Sequence, residues 1–151
     1  MQVDTIDNVT VKIKKIDNNY IYEAEALVFA LHKNSPISSS HKKMSQAAWA
    51  AATNDMTYHD IWDILYGQMS IKDRKKLRGI NGYIIITLTN EGKVIKYSLG
   101  FKFNSDTELQ IFSTRDCIEI FRNLNNSLFN PWNEDIDKVS GTIGLPAENN
   151  P

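Results

Sequence analysis

Apolar and polar residues alternate through "VTVKIKK" (9–15), with Val9, Val11 and Ile13 on one side and Thr10, Lys12 and Lys14 on the other. A period of two is the signature of a half-buried strand. The following "IDNNY" suggests a two-residue turn at Asn18 and Asn19, residue types that tolerate positive φ. That turn sets Ile13 opposite Ala24, Val11 opposite Ala26 and Val9 opposite Val28, with Lys14 against Glu23 and Lys12 against Glu25. A helix over "EAEALVFALHK" is the competing reading, favoured by Ala, Glu and Leu. It loses this double match, so a hairpin is expected.

The period then changes. After a loop at "NSPISSS", three helices are expected. The first, "HKKMSQAAWAAAT", is capped by one of Ser38 to Ser40 and presents Met44, Ala47, Ala48 and Ala51 as a flat face. The second starts at Thr57 with Asp60 three residues on, a capping-box spacing, and carries Tyr58, Ile61, Trp62, Leu65 and Met69 as its apolar stripe. The third follows Ser70 as N-cap, with Asp73 at N3 and Gly79 placed to end it. A three-stranded meander comes next: "GYIIITLT", "VIKYSLGFKF" and "ELQIF", joined by turns at "NEGK" and "NSDT". Pairing Thr89 with Val94 puts Ile84, Ile86 and Leu88 against Leu99, Tyr97 and Ile95, and Thr87 against Lys96. A last helix is expected after Ser113, with Asp116 at N3 and Cys117, Ile120, Phe121, Leu124 and Leu128 facing inward.

Beyond residue 130 the periodicity is lost, and glycines and prolines argue for an irregular, extended C-terminal arm anchored by Trp132. The expected class is α+β: an N-terminal β-hairpin, a three-helix segment, a three-stranded antiparallel meander, a closing C-terminal helix and the arm. Residues 1–130 form a single domain in this reading and 131–151 the arm.

The totals narrow the classes of function. A chain of 151 residues, 42% hydrophobic and 23% charged, builds a core without disulfides or a structural metal. One cysteine leaves no internal disulfide and no CxxC motif. The first ten residues carry acids and no apolar stretch of signal type, and no apolar run reaches membrane-spanning length. A cytoplasmic location is the default expectation, with no membrane contact, no cofactor and no metal.

The charge is lopsided although the formal net is −1. Between residues 70 and 103 eight bases (Lys72, Arg74, Lys75, Lys76, Arg78, Lys93, Lys96 and Lys102) face two acids (Asp73 and Glu91), a local net of +6 (eight minus two). Beyond residue 130, Glu134, Asp135, Asp137 and Glu148 face only Lys138. A helix C-terminus welcomes cations, so most of the basic cluster has a structural explanation. Nucleic-acid surfaces usually add stacking aromatics or Arg forks, which this mostly lysine cluster lacks.

Catalytic signals are thinner. "YHDIWD" holds a His59-Asp60 doublet, with His32 upstream, but Asp60 is wanted as a cap. His41 and His59 fall in first turns of helices, where the dipole keeps an imidazole neutral and able to act as a base. With Arg115, or with Lys42 or Lys43, such a histidine could serve a small metal-independent nuclease or hydrolase. Cys117 shares a face with Ile120, Phe121 and Leu124, so burial is expected and not reactivity. No serine has a nucleophile-elbow setting, and "LRGING" has the wrong spacing for a phosphate-binding loop. The helix-turn-helix rhythm of 59–79 lacks a compact turn.

Register, caps and amphipathic faces are the strong signals, and all are architectural. They suit a bacterial protein-binding module of inhibitor, immunity or accessory type. Its expected partner is an acidic protein, engaged through Lys72, Arg74, Lys75, Lys76, Arg78, Lys96 and Trp132. The alternative is the His41 or His59 hydrolase with Arg115 as phosphate clamp. A third reading docks the C-terminal arm onto a neighbouring subunit, which would give a discrete oligomer.

Overall fold

Strand alternation assigns the inward faces correctly, but the sheet that receives them is larger than the sequence suggests. The computed structural model describes residues 1–27, 39–104 and 109–146. Among these, six strands form one antiparallel sheet: β1 (Gln2–Ile6), β2 (Val9–Ile16), β3 (Asn19–Ala26), β4 (Gly82–Thr89), β5 (Val94–Lys102) and β6 (Lys138–Leu145). Their spatial order is β1-β2-β3-β5-β4-β6. The helices are α1 (Ser39–Ala52), α2 (Tyr58–Tyr66), α3 (Ile71–Lys76) and α4 (Thr114–Leu124).

Helices α1 and α2 pack over β6, and α4 crosses β2, β3 and β5. One face of the sheet is therefore covered and the other is open. Val11, Ile13, Tyr22, Ala24, Tyr97, Leu99, Ile84 and Ile86 line the covered face and are buried. The alternate positions Lys12, Tyr83, Ile85 and Thr142 are exposed. No helix of the described residues is long and apolar enough to cross a membrane.

The α+β class stands in outline, but its arrangement is corrected in four places. The C-terminal arm is not irregular: residues 138–145 are β6, paired with β4 along its whole length. Alternation there is hidden because Gly141 stands where an inward side chain would be read. Trp49 explains that glycine, since a Cβ at residue 141 would lie 2.3 Å from its Cε2. The closing helix α4 is thus followed by a strand.

Second, the described part of "ELQIF" (109–112) does not add a third strand to the meander. The edge of β5 away from β4 is taken by β3. Ile111 N–H instead donates to the Tyr22 hydroxyl oxygen at 2.9 Å, and Phe112 packs edge-on to the Tyr22 ring at 5.2 Å. Third, the N-terminal residues form β1. Its side chains are mostly exposed, so it carries little hydrophobic pattern. Asp7 and Asn8, both at positive φ (53° and 64°), make the two-residue turn into β2.

Fourth, the β2–β3 register is displaced by two residues. Val11 faces Ala24 and Ile13 faces Tyr22, with the turn at Asp17 and Asn18. An even shift leaves every side chain on its face, so alternation cannot detect it. Lys14 still reaches Glu23, at 3.5 Å. Val28, expected opposite Val9, lies outside the described residues. The β4–β5 register is as expected from Ile84–Leu99 to Thr87–Lys96, until an irregularity at Leu88 sets it against Val94.

The helix caps match the sequence closely. Asp60 accepts from Thr57 N–H at 2.7 Å, Ser70 Oγ accepts from Asp73 N–H at 3.1 Å, and Ser113 and Asp116 complete a capping box on α4. On α1 the buried alanines are Ala48 and Ala52, whereas Ala47 is exposed. On α2, Ile61, Trp62 and Leu65 are buried and Tyr58 points outward.

Candidate functional site

The basic segment emerges as a short surface helix held from beneath. Leu77 and Ile80, just past α3, insert into the core, and Met69 does so just before it. Arg74 forms the tie to α2. Its Nη2 donates to the Tyr66 carbonyl oxygen at 2.8 Å, capping the end of that helix, and its guanidinium lies 5.4 Å from the Tyr66 ring centre. Lys76 pairs with Asp73 at 3.7 Å along the helix. Gly79 ends the segment in the left-handed conformation, φ 80°, which disfavours other residue types.

No residue of α3 is buried. Lys72, Lys75 and Arg78 are exposed, and none forms an ion pair among the described residues. Ile71, the first residue of the helix, precedes them and is 63% exposed. Ile71 and Lys75, four residues apart, share a helix face. The surface is an exposed apolar residue followed by a run of cations, and Ile71 is the residue that sequence reasoning missed. The available signal was its position six residues before buried Leu77, roughly a third of a turn off the core-facing stripe.

The other expected contact residues separate from this surface. Arg74 is occupied by α2, as above. Trp132 is in the core, where its indole N–H donates to the Ile136 carbonyl oxygen at 3.0 Å and its backbone N–H to Asn90 at 3.2 Å. It anchors the chain between α4 and β6. Lys96 stands on the open sheet face, 3.7 Å from Glu25 across the strands. It is paired with Thr87, five residues along β4 from Gly82, roughly 17 Å up the strand from the end that α3 enters. With Glu23, Ile85, Thr87, Ser98 and Ser140 it lines a shallow depression of about 390 Å³.

Of the catalytic candidates, His59 is exposed on the first turn of α2, its ring 4.2 Å from that of Tyr58. Arg115 is exposed on the first turn of α4. The side chain of His41, on α1, and all of His32 lie outside the described residues. Asp60 is engaged by the Thr57 amide and hydroxyl.

Cys117 is buried beneath Tyr97, whose hydroxyl donates to the Cys117 carbonyl oxygen at 2.8 Å. Burial pushes the thiol from its ordinary value of 9.0 to about 12, and pushes Tyr22 and Tyr97 up as well. The thiolate is thus disfavoured, which suits packing and not nucleophilic chemistry. The sign for stability follows. Between pH 9.0 and about 12 the folded state keeps a proton that the unfolded state has lost. Stability conferred by this group is complete below that window and declines through it, by up to about 1.4 kcal/mol per pH unit. The urea midpoint is expected to fall on going from neutral pH to well above 9.0, and less steeply in Cys117→Ala. An equal fall in both proteins would remove the thiol from this account.

No family model matches the chain, and no curated protein matches it. Among solved structures the chain is similar to a DUF5043 family protein from Bacteroides uniformis ATCC 8492, at 14% identity and a TM-score of 0.54. The match covers 99% of this chain and 92% of that one, and at this identity it speaks for the shared fold alone.

Proposed function

We propose that the protein is a binding module that engages an acidic protein partner through the α3 surface. The carrying observation is Ile71, exposed at the start of a helix that contributes no residue to the core and carries exposed Lys72 and Lys75, with exposed Arg78 just past its end. An exposed apolar residue beside a run of cations fits a protein surface in which carboxylates flank a hydrophobic pocket, the cations steering the approach and the isoleucine supplying desolvated contact. Arg74 supports this surface from within, whereas Trp132 and Lys96 lie elsewhere.

The test is capture of a partner from nuclease-treated native lysate. Wild-type protein should retain one stoichiometric protein, and the Lys72→Glu/Lys75→Glu/Arg78→Glu variant should lose it while melting at the wild-type temperature. Ile71→Ala should weaken capture without altering its salt dependence. A nuclease-sensitive bound species, or capture indifferent to the charge reversal, would refute this reading.

A further inference from the structure

The two edges of the sheet are built differently. β6 pairs with β4 on one side, and its other side is the sheet edge. Asn90 N–H donates to the Asp137 carbonyl oxygen at 3.0 Å, one step beyond the Thr89–Lys138 pair. In an antiparallel ladder hydrogen-bonded pairs alternate with unbonded ones, so Val139, Gly141 and Ile143 bond to β4. The N–H and C=O groups of Ser140, Thr142 and Gly144 then point away from it. Thr89 N–H, donating toward β5 at Lys93, gives the same phase from the other side of β4. Among the described residues these outward backbone groups have no hydrogen-bond partner.

Proteins guard such edges with charge, proline, bulges or brevity. β1 is five residues long and contains Asp4. β6 is eight residues long, and between residues 139 and 145 it has no ionisable side chain and no proline; its register with β4 runs without a bulge. We infer that β6 pairs with β6 of a second copy, antiparallel about a two-fold axis at Thr142, joining two sheets edge to edge. A two-fold contact sets a strand against its own sequence, so any charge near the axis meets its like. The uncharged run passes that condition, whereas β1, the other edge strand, has Asp4 at its midpoint and would fail it. Thr142 is the midpoint of the run. The axis there opposes Thr142 with Thr142, Ser140 with Gly144, and Gly141 with Ile143 on the covered face, and it gives every outward amide a partner. A charged foreign strand would find no countercharge along residues 139–145.

Sedimentation equilibrium across micromolar concentrations tests this in the full chain. The side chain of Thr142 is exposed and its amide does not serve β4, so substitution there leaves the fold intact, as circular dichroism should confirm. Wild-type and Thr142→Ser proteins are expected to be dimers. Thr142→Lys and Thr142→Asp should each weaken association roughly tenfold or more, and mixing the two should restore it, because residue 142 faces residue 142 across the axis. A monomeric wild type would overturn the proposal, as would dimers unaffected by either charge or a mixture that recovers nothing. So would a monomer in which the Thr142 amide gains exchange protection only when another protein is added, since that marks β6 as an acceptor for a foreign strand.

Discussion

A chain ending at residue 137 is expected not to fold. If the last segment were an arm, its loss would be harmless. Instead β6 pairs with all of β4, buries Val139 and Leu145, and links to it through the hydroxyls of Thr87 and Ser140 at 2.7 Å. β4 is built as an interior strand, and Ile84, Ile86 and Leu88 are wholly buried. Without β6 that strand becomes an edge, and the helices packed over β6 lose their floor. The truncated chain should show no cooperative thermal transition. Leu145→Ala, a milder form of the same test, should cost about 2–5 kcal/mol in urea denaturation. A truncated protein that melts like the full chain would show that residues 138–145 are not a working part of the sheet.

The second large effect is expected at Trp62. Its indole is buried and stacks between Phe101 of β5 (6.2 Å) and Tyr66 (5.0 Å), which in turn carries Arg74. This column joins the sheet to the base of α3. Trp62→Ala should cost about 3–5 kcal/mol through the cavity it leaves. Trp62→Phe should cost much less. The indole N–H has no hydrogen-bond partner among the described residues, so removing it relieves a buried orphan donor and offsets part of the lost packing. If the two substitutions cost the same in equilibrium denaturation, the stack is not what holds this region. Because Arg74 rests on Tyr66, Trp62→Ala should also weaken partner capture more than its effect on stability alone accounts for.

Local chemistry was legible wherever the sequence constrains one turn or one face. The capping groups Asp60, Ser70 and Asp116 announce the starts of α2, α3 and α4 because unpaired helix amides and N-cap amides need acceptors within three residues. What escaped was long-range or concealed by compensation. The β2–β3 register is degenerate under an even shift. β1 is too exposed to carry a pattern. Gly141 erases the alternation of β6 for a reason that resides 92 residues away, in the ring of Trp49 (141 minus 49). The pairing of β3 with β5, which merges two hairpins into one sheet, has no local signature at all. At the candidate site the cations were visible as a cluster, but the division of labour among them was not. Whether Arg74 binds a partner or caps α2 depends on where Tyr66 lies, and Lys96 is separated from the cluster by the length of β4 that it faces.

The most direct test of the proposed function maps where the captured partner touches. With isotope-labelled protein and the purified partner, amide resonances should shift across Ile71, Lys72, Lys75 and Arg78 and the adjoining turn at Gly79. Those of Ile85 and Ser98 on the open sheet face, and of His59 on α2, should stay still. Shifts centred on the open face, with α3 unmoved, would contradict the account and move the binding surface to the other side of the sheet.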